Sequence, residues 1–347
     1  MSALITEPES YNTPGQFKLV PIVAHDGQNA TDNLPVARAS SEEFNVHTPK
    51  THEVGHWNKA GLGIAVQAPF LPIAPYVQAY FDKFHPKWPF LHPATFDPDN
   101  EPPFLAQSVV MMGSWAMVES NMQQTAKDLH QRLTSSIYEQ REKWDISNHH
   151  DPHSQHHEIS SSGPTPWPMA TYQGILLHLI FSLLLNNNRP DLQLTQVLPD
   201  VPSQLLVSLV RSCLKRHMFF YPSILAQFKP GVDPDVFIWL GIEEVKRFDL
   251  SLYKVCRHAR VCNTKLLEDV PNFGPQRGPQ SPGGRLLSLA DLQFAVPDSD
   301  ELWHANSDLA AKIARNPDAY TNDNIEENWI SQTARILQPR DQQFQWI

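Results

Sequence analysis

The side chains here that could do chemistry are few and poorly spaced for it. The cysteines are Cys213, Cys256 and Cys262. A zinc site of four cysteines, or of two cysteines and two histidines, needs close pairs such as C-x2-C in a compact module. The near pair here, Cys256 and Cys262, has five residues between its members and falls in a helix and its exit. His149, His150, His153, His156 and His157 crowd one segment. Imidazole binds Zn or Ni, and helical spacing would gather these rings. Pro152 and the Ser-Gly-Pro run oppose a helix, so the segment reads as a weakly pH-responsive surface loop, with a metal site as the alternative. Asp97, Asp99 and Glu101 lack the glycine and the distal acidic ligand of a calcium loop; they read as a loop end that charges the next helix start. There is no H-E-x-x-H, G-x-S-x-G, G-x-G-x-x-G or phosphate loop, and no D-D-x-x-D-like run on an apolar helix. The residues therefore predict no catalytic group, bound metal or cofactor, and leave function to helix packing, partners or an apolar pocket.

The totals agree. The chain has 347 residues, is 41% hydrophobic and carries 9 Trp and 17 Phe, which supports a sizeable core. Its 31 prolines, with long polar stretches, place much of the chain outside that core. Asp and Glu outnumber Lys and Arg 37 to 27, a net charge of -10, and no run of four basic residues occurs. That argues against a basic nucleic-acid groove across the whole chain. The longest apolar run, Gly174 to Leu185, is too short for a bilayer, which needs about 20 residues. No secretory leader is read at Met1 to Ser10, and so few cysteines suggest a reducing compartment, cytosol or nucleus.

The elements that must position any functional residue are helices. Residues 1–70 read as mostly disordered, with Gly61 to Ala68 able to dock on the body without a strand. A helical body over 71–316 opens at Pro75 to Phe84, with Val77, Tyr80, Phe81 and Phe84 on one face. This first helix ends at Pro86; Pro89 and Pro93 then keep the chain extended, and Phe90 and Leu91 insert under neighbouring helices or line a pocket. The next helix starts at Pro102 or Pro103 and runs through Leu105, Val109, Val110, Met112, Trp115 and Met117, with Gly113 and Ala116 small enough for close helix approach. Helices follow over 123–144, Trp167 to Leu185 (apolar all round, hence central), Val201 to Phe219 and Pro234 to Ala259. Arg211, Lys215 and Arg216 read as a solvated face or an anion site. Loops fill 148–166 and 268–284. A last helix ends near Asn316, and 317–347 is left open, readable as a truncated helical segment whose Trp329 and Trp346 either anchor to the core or stay stranded. On the Pro234 helix, Glu243 and Glu244 lie four and three residues before Arg247; exposed, such pairs contribute little, but buried they fix how the helix meets its neighbours.

Tyr80 to Phe96, YFDKFHPKWPFLHPATF, resembles the opening of the regulatory domain of fungus-specific transcription factors. The matching pieces are Phe84-His85-Pro86, Pro89-Phe90-Leu91-His92 and Thr95-Phe96. Trp239, followed by Glu243, Glu244, Lys246 and Arg247, resembles that family's W…E-x-x-R-R helix, although Cys256 stands where the family often has Asp after the aromatic Tyr253. Leu287 to Trp303 resembles its L…L…L-P-x-x-[DE]-x-x-W region, through Leu292, Val296-Pro297, Asp300, Glu301 and Trp303. The likeness covers roughly 75 to 315 and is nearest the branch attached to zinc fingers of two cysteines and two histidines.

The resemblance implies an all-α multi-helix bundle with long irregular loops and a nuclear role in RNA polymerase II transcription. It implies partners among transcriptional co-regulators or a second copy of the chain, and no membrane. It also implies that DNA contact and zinc belong to a separate finger module missing here. Phe84, His85, Pro86, Pro89, His92 and Phe96 would orient the early helices; Trp239, Glu244, Arg247 and Trp303 would organise the later packing. The alternatives are a protein-interaction scaffold and a small-molecule sensor with an apolar pocket near Trp115 and His178.

Overall fold

The computed structural model describes residues 19–21, 64–66, 73–146, 165–187, 196–261, 286–305, 309–315, 320–333 and 346. The histidine-rich segment 149–157, the loop 268–284 and Cys262 lie outside the described residues. What is described is an all-α bundle. Its strands are three residues each: β1 (Leu19–Pro21) runs antiparallel to β2 (Ile64–Val66), and β3 (Gln196–Leu198) parallel to β4 (Ala259–Val261). The piece expected to dock without a strand thus pairs with a second strand, and β2 lies against the second helix.

The bundle centres on α4 (Met169–Asn187), whose residues 169–184 are all buried. A helix apolar on every side must be surrounded, and α2 (Pro103–Ala116), α3 (Ser120–Glu139), α5 (Asp200–Lys215) and α7 (Asp235–His258) all pack on it. Pro103 opens α2 at the position where a missing N–H costs nothing. Asp235 in the first turn of α7 and Arg257 and His258 in its last complement the helix dipole.

Three local features depart from the sequence expectation. The helix expected over 75–84 divides into α1 (Ala74–Ala79) and a widened π turn, Tyr80–Phe84, closed by His85 N–H on the Tyr80 carbonyl. Pro86, with no N–H to give, ends the run. The widening buries both Tyr80 and Phe84, rings 5.2 Å apart. The helix expected over 123–144 stops at Glu139, and a 3-10 turn, Arg141–Lys143, delivers Trp144 to the core. The basic trio on α5 is more engaged than a solvated face. Arg211 and Arg216 are half-buried; Arg216 Nε donates to the Tyr172 hydroxyl at 3.1 Å and Lys215 Nζ to the Ile146 carbonyl at 2.8 Å. His217 then closes α5 in the left-handed region, φ 55°, with Met218 N–H on the Cys213 carbonyl.

Past α7 the chain returns over the body as an extended segment. Gln293 bridges to Phe219 and Tyr221, and Ile330 N–H bonds the Phe294 carbonyl. Short helices follow: α8 (Asp300–Trp303), α9 (Leu309–Ala314) and α10 (Ile330–Thr333), with α6 (Tyr221–Leu225) joining α5 to α7. Trp329 and Trp346 are both anchored, each 5% exposed.

The close approach expected at Gly113 is real: a Cβ there would lie 1.9 Å from the Tyr76 carbonyl oxygen of α1. Because the obstacle is backbone, α1 has to move. Gly113→Ala should therefore destabilise the fold by about 2 kcal/mol, against a slight gain for Gly→Ala at an open helix site; the midpoint of urea unfolding measures it.

Candidate functional site

The hinge and α7 meet in one buried cluster. Burial and the two prolines fix the hinge geometry: Pro89, Phe90, Leu91 and His92 are all buried, and Pro86 is exposed. His85 Nε2 donates to the Leu91 carbonyl at 2.8 Å, folding the segment back on itself. Phe84 stacks on Trp88 at 6.4 Å, and Phe96 packs edge-on against Phe81 at 5.6 Å. His92 places its ring edge-on to Trp303 at 4.8 Å and gives its backbone N–H to Glu244 Oε1 at 3.3 Å. The hinge is thereby tied to α7 and to the distant α8.

On α7, Glu243, Lys246 and Arg247 are 1%, 1% and 0% exposed. Helical spacing puts 243, 246 and 247 on one face. Glu243 Oε1 accepts from Lys246 Nζ at 3.1 Å, and its Oε2 accepts from the Asp298 N–H at 2.9 Å and lies 3.5 Å from Arg247 Nε. Lys246 reaches Asp323 at 2.6 Å and the Val296 carbonyl at 3.3 Å. Arg247 donates to Asp300 Oδ1 at 2.7 Å and to the Asp298 carbonyl at 3.0 Å, and its guanidinium lies 4.4 Å from the Trp303 ring centre. Trp239 Nε1 donates to Asp298 Oδ2 at 2.5 Å. Trp239 and Arg247 thus both reach Asp298, and Arg247 lies over Trp303. The ion pair of Arg247 is with Glu243 and Asp300, while Glu244 serves the hinge.

Burial and the neighbouring carboxylate of Glu243 raise Asp298 above the usual carboxylate range. Burial pushes Asp323 up to about 6 against the pull of Lys246. Burial would lower Lys246, but Glu243 and Asp323 more than reverse this and hold its ammonium charged.

A second polar cluster lies between α3 and α4. His130 Nδ1 and His178 Nδ1 are 2.9 Å apart, with Thr134 Oγ1 3.4 Å from both. Ser182 donates to the His178 carbonyl at 2.9 Å, so at 3.3 Å it must accept from His130 Nε2. This assigns the tautomers: His130 carries its proton on Nε2 and His178 on Nδ1. Trp115 and His178, expected near an apolar pocket, are joined by packed rings: Trp115 on Phe181 at 5.2 Å, Phe181 on His130 at 4.8 Å, and His130 on His178 at 5.1 Å. Phe104 stacks on His178 at 5.7 Å.

Ionisable side chains do converge here, but on one another. Among the described residues no group of three or more His, Cys, Asp or Glu could hold a metal ion, and no helix is long and apolar enough to cross a membrane. The acidic triplet is a turn: Asp97 accepts from the Asp99 N–H at 3.1 Å and from Asn100 Nδ2 at 2.6 Å, and Glu101 is buried. Cys213 and Cys256 are buried and free. Asp298, Asp323 and His130 carried no sequence signal, because their partners come from segments far along the chain.

Residues 77–198 match a family model, the fungal specific transcription factor domain. This segment is a fungal transcription-factor regulatory domain, a family typical of nuclear transcription factors. It holds the hinge, α2, α3 and α4 and ends at β3, so the α7 face packs on the matched segment from outside it. No curated protein and no solved structure matches the chain.

Arg247→Ala would leave Glu243 and Asp300 facing a void in place of a cation. The expected loss is about 3–5 kcal/mol in urea unfolding, and Arg247→Lys should recover little, since it gives up the planar fork and the stack on Trp303.

Acid should also unfold the protein early. Burial lowers His85 to about 3 and His92 and His130 to about 4, and it holds His178 well below its usual range, helped by His130. An unfolded chain protonates these rings near pH 6.5. Their contribution is therefore complete above that pH and lost as pH falls toward 4, at up to about 1.4 kcal/mol per pH unit for each ring. Asp249, Asp298 and Asp323, raised when folded, act in the opposite direction, their contribution being lost as pH rises; the lowered imidazoles, with His258 added to these four, outnumber them. Urea midpoints should fall from pH 7 to pH 5, and His178→Leu should flatten that slope.

Proposed function

We propose that this chain works in the nucleus as the regulatory part of a transcription factor, through contacts with transcriptional co-regulators or a second copy, without catalysis. DNA contact, and any zinc, belong to a separate finger module. The observation that carries this reading is the family match over 77–198, which covers the hinge and the central helix. The chemistry of the cluster supports it. A catalytic acid or base needs a proton within reach of substrate, whereas Glu243, Lys246 and Arg247 are buried and bonded to Asp298, Asp300 and Asp323. Sequence reading by a nucleic-acid binder needs base-edge donors on an inserted element together with phosphate contacts, and the net charge of -10 does not favour those contacts. The packed rings between Trp115 and His178 give the sensor alternative no support.

Two measurements test the proposal together. Fused to an unrelated DNA-binding module, the full chain should change the output of a matching reporter in a fungal nucleus relative to the module alone. Unfused, at physiological salt, it should bind no duplex with the Kd of about 10 nM or tighter that specific binders reach. An unchanged reporter, or specific nanomolar binding by the chain alone, would contradict it.

A further inference from the structure

Arg247 and Lys254 are seven residues apart on α7, two turns along one face. Each cation rests on a tryptophan of the body: Arg247 lies 4.4 Å from the Trp303 ring centre and Lys254 Nζ 4.3 Å from that of Trp88. Both also touch Trp346. The Trp346 ring lies over the Arg247 guanidinium at 5.8 Å, and its backbone carbonyl accepts a hydrogen bond from Lys254 Nζ. Trp346 is 5% exposed and Arg247, beneath it, 0%. One residue near the end of the chain thus spans two turns of α7, its ring at one cation and its carbonyl at the other.

The cradle does not depend on its occupant. Arg247 is already held by Asp300 and the Asp298 carbonyl, and Lys254 by the Lys87 carbonyl at 3.4 Å and the face of Trp88. Trp88 is itself stacked on Phe84, and Trp303 packed on His92. None of these contacts involves Trp346, and they hold two cations two turns apart. One is set to receive an aromatic face, the other an acceptor oxygen.

We propose that this face of α7 is a peptide-binding slot for a tryptophan-bearing segment, occupied in cis by the chain's own Trp346, which can leave and return without unfolding the body. The occupant is fixed by what sits there: a ring for the cation–π contact and a main-chain carbonyl for the ammonium. Tethering gives the cis segment a high effective concentration, so a free peptide succeeds only where the cis tryptophan is missing.

The test uses the full chain carrying Trp346→Ala and a fluorescently labelled peptide of residues 340–347. The variant should keep a single cooperative thermal transition, and the peptide should bind it saturably by fluorescence anisotropy. The same peptide should not bind the unaltered chain at the same concentrations, and a peptide carrying Trp346→Ala should bind neither. Adding Lys254→Met to the variant should weaken binding about tenfold, the sum expected of one charge-assisted hydrogen bond. Loss of the cooperative transition in Trp346→Ala would overturn the proposal, by showing Trp346 to be core. So would failure of the peptide to bind the folded variant, equal binding to the unaltered chain, or indifference to Lys254→Met.

Discussion

The architecture depends on one costly act, the burial of Arg247. A guanidinium with no exposure is tolerable only if its charge and its N–H donors are met inside the protein, and the penalty for failure is several kcal/mol. The partners that meet its charge and its terminal nitrogens come mostly from far along the chain, while Nε has only its ion pair with Glu243. Glu243 is one turn away on the same helix, but Asp300, the Asp298 carbonyl and the Trp303 face belong to the segment that returns after α7. The returning segment is therefore held in one place. Lys246 makes the same demand one residue earlier and draws in Asp323, so two adjacent cations fix two separate stretches of the later chain on α7.

The hinge is bound into the same cluster through main-chain groups. His85 uses a backbone carbonyl and His92 a backbone N–H, the latter on Glu244. Side-chain bonds to a proline-rich stretch supply what it cannot draw from a helix or a sheet. With His92 against Trp303, and Trp303 under Arg247, a contiguous chain of contacts runs from the start of the ordered body to α8. Asp249 stands outside this pattern. It is fully buried on α7 with neither oxygen bonded, and burial raises it well above the usual carboxylate range; a neutral carboxylic acid is the form such a site favours.

Much of this was readable from the residues, and the rest was hidden for definite reasons. The helical periods of α2, α4, α5 and α7 are local and survive into the structure within a few residues. The hinge was legible because proline acts on its own neighbours. The π turn at Tyr80 was not, since nothing in a helical stripe distinguishes a widened turn from a regular one. Arg247 was marked by its spacing from the two glutamates and by the family resemblance, but its partner set was not: Glu243 and Glu244 fit helical spacing equally well, and only the position of Asp298 and His92 in space separates them. His130 lay on an amphipathic helix and read as one more polar residue; its bond to His178 joins two helices that sequence alone does not align. The segments around the histidine run and the glycine-rich loop lie outside the described residues.

The placement of the polar clusters shows what they add to the packing. α4 is apolar all round, and an apolar surface sets few limits on how a neighbour slides or rotates against it, because many packings bury similar area. A hydrogen bond with a single geometry does set such limits. The His130–His178 pair fixes α3 against α4, and the ions of α7 fix the returning chain and the hinge. Buried polar groups of this kind add little net stability over well-packed apolar ones, and their best-attested use is to select one arrangement among several. On the function proposed above, that selection matters more than surplus stability, since a partner would read the relative position of surfaces. The sequence carries the apolar stripes that make a bundle, and the few buried charges that decide which bundle it is.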